Sequence, residues 1–320
     1  MTSSQLRHVR VAEIEPVAED IKRFRLVAAD GSGLPSYSAG AHVVVTMRDA
    51  NGRAWRNPYS LMGPLGDTSS YEISVLRVNE SRGGSQFMHQ IPVGAELQIT
   101  SPVNLFSIAR PARKHLLIAG GIGITPLMAI MEELDALNAD FELHYKVRSL
   151  ARGAYCQRLS ARYGARAKIY CSDRGDRLLL DTLLRDQPLG THMYVCGPKP
   201  MIEWALDAAQ ADGWPAENLH SEQFAAPPMG RAFTVKLARS DREIRVGPQQ
   251  SILEALEENG VDAPFLCRGG ACGQCETRVL GHDGALQHND HFLTAEERQG
   301  GEKIMICMSR ISGDNLTLDL

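Results

Sequence analysis

No apolar run among these 320 residues approaches the roughly 20 that a membrane-spanning helix needs. Positive charge is not in surplus either. There are 34 Lys and Arg against 38 Asp and Glu, a net charge of −4, which gives no electrostatic reason to expect a nucleic acid. Internal repeats and low-complexity tracts are missing too. The N-terminal residues Met1–His8 pass directly into an alternating apolar pattern, so the expectation is a chain with no secretory signal. What remains is a globular composition long enough for two or three domains, each able to bury a core.

Cysteine carries the most information of what is present. Cys267, Cys272, Cys275 and Cys307 follow C-x4-C-x2-C and then a distant fourth, the plant-type spacing for a [2Fe-2S] cluster. Two irons bridged by sulfides need four thiolates converging on a small volume. One tight loop supplies three, and its glycines Gly269, Gly270 and Gly273 permit positive φ and close approach of backbone amides. The apolar run Lys303–Met308 predicts a strand that buries Cys307 beside the loop. Zinc held by Cys272, Cys275, His288 and His291 is the competing reading. It leaves Cys267 and Cys307 unexplained, and only two residues separate its histidines. The remaining thiols, Cys156, Cys171 and Cys196, lie far away in sequence, and free thiols beside a cluster point to the cytosol.

Three segments follow one another. From about Leu6 to Ile108, short strands such as Val43–Val45, Tyr71–Leu76 and Glu96–Ile99 alternate with Gly and Pro, as in a small antiparallel barrel. From about Pro111 the rhythm becomes strand and helix. Strands are expected at His115–Ala119, Glu142–Val147, Ala167–Cys171 and His192–Cys196, and helices at Pro126–Leu137 and Lys199–Ala211, which predicts a doubly wound parallel sheet. A Pro-containing linker at Ala225–Gly230 then leads to a unit of about ninety residues. Its expected order is a hairpin over Phe233–Val246, a helix over Ser251–Asn259, the cysteine loop, the Cys307 strand and a last strand at Leu316–Leu320.

Two glycine turns end strands of the expected sheet. Gly120, Gly121 and Gly123, with Thr125 and Pro126, open a helix whose unpaired amides suit a pyrophosphate. The spacing is not G-x-G-x-x-G, and a tight turn with no ligand is the alternative. Cys196, Gly197 and Pro198 form the second turn, with the Cys196 sulfur beside a nicotinamide in the functional reading. Arg148, Ser149 and Asp173 also end strands and would meet the adenosine half, the carboxylate favouring a free ribose hydroxyl and hence NADH, while Arg148, Arg152 and Arg174 keep NADPH as the alternative. In the first segment, Arg56, Tyr59 and Ser60 combine a phosphate binder, a stacking ring and a hydroxyl. Gly83, Gly84 and Ser85 precede an expected helix over Gln86–Gln90 and offer an anion site or a plain cap. The acidic pairs Glu132–Glu133 and Glu296–Glu297 read as solvated faces or caps.

This order of motifs resembles the phthalate dioxygenase reductase family over nearly the whole chain. The resemblance implies a multidomain fold: an antiparallel β-barrel for FMN over residues 1–109, an α/β parallel-sheet domain for NADH over 110–226, and an α+β ferredoxin domain of β-grasp type over 227–320. It implies that Arg56, Tyr59 and Ser60 bind the flavin, here with Asn57 and Pro58 where the family's Arg-x-Tyr-Ser has one residue. Val75, Leu76 and Arg77 match the flavin-lining strand, and Gly84 and Ser85 the phosphate turn. Phe224 matches the ring that covers the flavin until nicotinamide displaces it, which places Ser60, Cys196 and Phe224 at the point of hydride transfer. Electrons would pass from NADH to FMN to the [2Fe-2S] cluster and on to a Rieske-type oxygenase. A stand-alone reductase of soluble acceptors, and a flavin reductase with a zinc-stabilised module, are the other readings.

Overall fold

The structure, a computed structural model, describes residues 6–320. Two compact units divide it, one of residues 7–55 and 59–224, the other of Leu6, 56–58 and 225–320.

In the first unit, alternating sequences give an antiparallel sheet. Its strands are β1 (Arg7–Ala18), β2 (Ile21–Ala28), β3 (Ala41–Arg48), β4 (Ala54–Ser60), β5 (Tyr71–Leu76), β6 (Glu96–Ile99) and β7 (Val103–Asn104). They run β4-β3-β6-β1-β2-β5, with β7 beside β3. In β2, Phe24, Leu26 and Ala28 turn inward to a core shared with Val9, Val43, Tyr71 and Ile73, while Lys22, Arg23 and Arg25 are less buried. A short helix, α1 (Gly84–Gln90), follows β5.

Strand and helix then alternate through β8 (Lys114–Gly120), α2 (Ile124–Ala136), β9 (Phe141–Val147), α3 (Cys156–Tyr163), β10 (Ala167–Cys171), α4 (Leu180–Arg185), β11 (Thr191–Cys196), α5 (Lys199–Ala211) and β12 (Leu219–Glu222). All five strands are parallel, in the order β10-β9-β8-β11-β12. The run Leu116-Leu117-Ile118-Ala119 is apolar throughout because both faces are covered. Leu117 and Ala119 join a core with α2, and Leu116 and Ile118 join one with α5.

Helix α2 also ties the barrel to this sheet. Glu132 accepts the amide of Leu65 at 2.9 Å, and Glu133 accepts that of Ala39 at 3.4 Å and pairs with Arg110. Glu132–Glu133 is therefore a clamp on barrel loops rather than a solvated face. A serine–tyrosine hydrogen bond, Ser74 to Tyr155 at 2.6 Å, adds a second tie.

In the second unit, β13 (Phe233–Leu237), β14 (Arg242–Val246), β15 (Glu276–His282), β17 (Lys303–Met305) and β19 (Asn315–Leu318) form a sheet in the order β14-β13-β19-β15-β17. The short strands β16 (Leu286–Gln287) and β18 (Arg310–Ile311) pair separately. Only β13 and β19 are parallel, and α6 (Ile252–Glu258) packs its apolar residues into the core, which is the β-grasp arrangement. A reciprocal Ser251–Glu254 capping box starts α6, and Thr294 with Glu297 starts α7 (Ala295–Gly300) in the same way, so Glu297 is the cap its sequence suggests. The expected strand through Cys307 stops short. β17 ends at Met305, and Cys307 sits in the turn that follows, where a ligand can leave the ladder without breaking its hydrogen bonds.

Candidate functional site: two glycine turns, a polar cluster and a thiol quartet

The order of strands in the parallel sheet reverses between β8 and β11, and the carboxyl ends at such a switch point open into a crevice. Both glycine turns lie there. A Cβ on Gly120 would meet Met201 Sδ at 2.6 Å and Pro198 Cδ at 2.8 Å, and one on Gly123 would overlap the carbonyl of Cys196. These two glycines let the turns pack on each other. Gly121 differs, with φ +54° and nothing within 4 Å of where a side chain would stand, so open space lies at this residue. Thr125 spends its hydroxyl on the Ile122 carbonyl at 3.0 Å, and Pro126 is buried in the first turn of α2. At the ends of β9 and β10, the amide of Asp173 bonds the Arg148 carbonyl at 3.0 Å, and both side chains are exposed. Ser149, beside them, caps the amide of Arg152 at 3.3 Å.

Next to these turns the first unit buries a set of polar groups. His42 on β3, Ser60 on β4 and Glu222 on β12 come together beside Cys196, which is the register partner of Glu222. His42 Nδ1 lies 4.0 Å from a Glu222 carboxylate oxygen. Both nitrogens of His42, the Ser60 hydroxyl and Glu222 Oε2 make no hydrogen bond of ordinary geometry among the described residues. Buried polar atoms are rarely left so, which marks the cluster as a candidate site for polar atoms of a ligand. Burial pushes the Glu222 carboxyl up to about 8, with the nearby Ser60 hydroxyl pulling it partly back. Burial alone brings His42 down to about 4. Cys196 is fully buried and its thiol is driven upward, first by burial and then by Glu222, so it is a neutral sulfur. Phe224, two residues beyond Glu222, keeps 42% of its surface exposed.

Glu222 binds more protons folded than unfolded, so its contribution is complete below its ordinary value of 4.5 and is lost as pH rises through about 8. Glu222→Gln is expected to flatten the alkaline limb of thermal stability in the flavin-free protein, by roughly 2 to 4 kcal/mol between those pH values. A melting profile over pH 5 to 9 unchanged by the substitution would refute the buried neutral acid.

Elsewhere in the barrel, Tyr59 is half-buried against the core and Val75 is buried with its carbonyl held by His89 at 2.9 Å. Leu76 ends β5, and Arg77 pairs with Asp20. Gly83, at φ +118°, caps α1, and a Cβ there would run into the Trp55 ring at 2.8 Å. The Trp55 indole donates to the Arg82 carbonyl at 2.7 Å, so the turn before Gly84 and Ser85 is folded onto this ring. Ser85 Oγ accepts the amide of Val78 at 3.2 Å. Arg56 groups with the second unit, where its guanidinium lies 3.5 Å from the Glu257 carboxylate.

In the second unit the four cysteines close in two pairs. Cys275 and Cys307 hold their sulfurs 3.1 Å apart, and Cys267 is hydrogen-bonded to Cys272. That bond and the amides of Gly269, Ala271 and Cys272 hold Cys267 below the ordinary thiol range against the opposing effect of burial. Cys275 is lowered first by its bond with Cys307. Two thiol pairs with amides aimed at sulfur suit a two-iron cluster, each iron taking two thiolates. His288 instead faces Asp290, Nδ1 to Oδ1 3.6 Å, which speaks against the zinc reading. Of the loop glycines, Gly270 and Gly273 have positive φ, but so does Arg268, at +54°. Its buried guanidinium pairs with Glu257 and covers the Phe265 ring at 4.0 Å, anchoring the loop to α6. Nothing in the cysteine spacing pointed to this arginine.

Barrel, nucleotide sheet with its crevice, and β-grasp ferredoxin together define an electron-transfer reductase. Residues 235–312 match the 2Fe-2S iron-sulfur cluster binding domain, and residues 99–219 match the N-terminal domain of dimethylamine monooxygenase subunit DmmA-like proteins. The chain is 43% identical to the carnitine monooxygenase reductase subunit of Acinetobacter baumannii, over 97% of this chain and 96% of that one. It is 44% identical to the heme-dependent oxidative N-demethylase beta subunit of Ectopseudomonas mendocina, over 99% and 100%. The solved structure of phthalate dioxygenase reductase superposes with a TM-score of 0.88 at 31% identity, covering 99% of this chain and 98% of that one. The chain belongs to the phthalate dioxygenase reductase family, oxidoreductases that use FMN, NADH and a [2Fe-2S] cluster to supply oxygenases.

Proposed function

We propose that this chain is the NADH-dependent reductase of a Rieske-type oxygenase, with domains over residues 1–109, 110–226 and 227–320. The observation that carries it is the cysteine quartet closed in two pairs in the same chain as a nucleotide-binding sheet. FMN, when bound, takes hydride from NADH and releases electrons singly to the cluster. The residues' work is holding and orienting. Cys267 and Cys272 would ligate one iron, and Cys275 and Cys307 the other. Tyr59, Ser60, Val75, Leu76 and Arg77 would line the flavin, Gly83, Gly84 and Ser85 would hold its phosphate, and the cluster of His42, Ser60 and Glu222 has the unsatisfied polar atoms a heterocycle needs.

Gly121 and its neighbours Gly120, Gly123, Thr125 and Pro126 would receive the pyrophosphate, and Cys196, Gly197 and Pro198 the nicotinamide, with Phe224 covering the flavin until nicotinamide arrives. Arg148, Ser149 and Asp173 would meet the adenosine half. An exposed carboxylate at the end of β10 supports NADH, and flavin reduction is expected to be at least about tenfold faster with NADH than with NADPH in rapid mixing. The reverse order would overturn that assignment. Reduction of a purified Rieske oxygenase, compared with ferric and dye acceptors, tests the partner. The likeness to a subunit of a heme-dependent demethylase favours a second acceptor class, and preferential reduction of a heme partner would replace the Rieske reading. The unpaired thiols support a cytosolic setting, and no helix among the described residues is long and apolar enough to cross a membrane.

A further inference from the structure

His42 belongs to none of the sequence motifs, yet it is 95% buried, faces the Glu222 carboxyl across 4.0 Å and bonds to nothing through either nitrogen among the described residues. An imidazole placed so would cost stability for no return unless a partner or ligand uses it. The surrounding elements limit what that partner is. β12 brings Glu222, β11 the thiol of Cys196 and β4 the hydroxyl of Ser60, while β7, paired to His42 at Val103, carries no titratable side chain.

We propose that His42 is a positioning residue for the proton of Glu222, holding the carboxyl toward the pocket and offering an imidazole N–H to the carboxylate whenever the acid has given its proton away. The proton balance is simple. Glu222 passes one proton to a ring nitrogen or carbonyl of a heterocycle in the pocket, the carboxylate that remains accepts a hydrogen bond from His42, and a proton from solvent restores the acid. No electron moves in this step. The geometry supports it from both sides: the pair is close enough for a small rotation to bring nitrogen to oxygen, and His42 is buried while Glu222 keeps only 15% of its side chain exposed, where a bare carboxylate would be costly. That both groups are neutral near pH 7, Glu222 pushed up and His42 pushed down, agrees with this arrangement. The inference rests on reading the pocket as the edge of the flavin.

The test uses flavin-free full-length protein, with the carboxyl carbons of glutamate labelled and Glu222 identified by the signal lost in Glu222→Gln. Its titration is followed by NMR in the wild type, His42→Leu and His42→Gln. The wild-type carboxyl is expected to titrate above its ordinary value of 4.5, held up by burial. Leucine, which offers no donor, should weaken the acid at least about tenfold, and glutamine, whose amide can donate, should restore it to within about threefold. His42→Met replaces the leucine variant if the latter fails to fold. Equal shifts in leucine and glutamine variants, no shift in either, or a wild-type value near 4.5 would each overturn the proposal. Because the readout needs no flavin, failure of the protein to take up FMN would refute the flavin reading separately.

Discussion

Cys307→Ser should abolish delivery of electrons to the oxygenase while leaving NADH oxidation by the flavin almost intact. Cys307 is buried, it is the one thiol of the quartet that does not come from the loop, and its sulfur lies 3.1 Å from that of Cys275. A serine hydroxyl there is a poor thiolate substitute in a site that needs four sulfurs. Disturbing groups that merely support metal ligands costs about 10- to 100-fold in affinity or activity, so loss of a ligand itself should cost at least about 100-fold in transfer. Iron, acid-labile sulfide and the visible absorption of the cluster should fall together. Flavin content and the rate of flavin reduction by NADH should stay within about twofold. Oxygenase turnover at wild-type speed by a variant with no cluster would show that electrons leave directly from the flavin.

Gly123→Ala should have the next largest effect, on the opposite end of the electron path. Gly123 has φ of −63°, which any residue adopts, so its need for glycine is one of space. A Cβ would overlap the Cys196 carbonyl and lie 2.7 Å from the Gly197 nitrogen, and these are backbone atoms that cannot rotate away. The two turns must separate, which by the usual cost of overpacking removes about 1 to 3 kcal/mol of stability. Because the turns flank the switch point, NADH-driven flavin reduction should fall at least about tenfold with the flavin retained. Gly121→Ala is the contrast, since it has positive φ but open space, and it should cost about 1 kcal/mol through the backbone alone. If Gly123→Ala reduces its flavin with unchanged dependence on NADH, the nucleotide binds elsewhere.

Much of the fold was legible in the sequence because its signals are local. The strand over Tyr71–Leu76, the strand over Glu96–Ile99 and the helix over Lys199–Ala211 have the bounds that periodicity alone assigns. The loop cysteines are read the same way, since three ligands within nine residues leave little freedom. Reading failed where a residue's role depends on something distant. Glu132 and Glu133 look like part of a solvated helix face until Leu65 and Ala39 are seen to donate to them. The Lys303–Met308 run is apolar enough for a strand, but Cys307 has to leave the ladder to meet Cys275.

Spacing along the chain reads four cysteines as ligands of a cluster and an alternation of strand and helix as a wound sheet, with two glycine turns after apolar strands as the candidate dinucleotide site. Packing alone decides how those parts are finished. It divides the quartet into pairs, stands Arg268 on Glu257, reserves Gly121 for open space while Gly120 and Gly123 join the turns, and brings His42 to Glu222 from opposite ends of the first unit. The reason is physical. Backbone preference and hydrophobic period act over a few residues, whereas burial, proton affinity and steric exclusion are properties of a place in the fold, and that place exists only once distant strands have met.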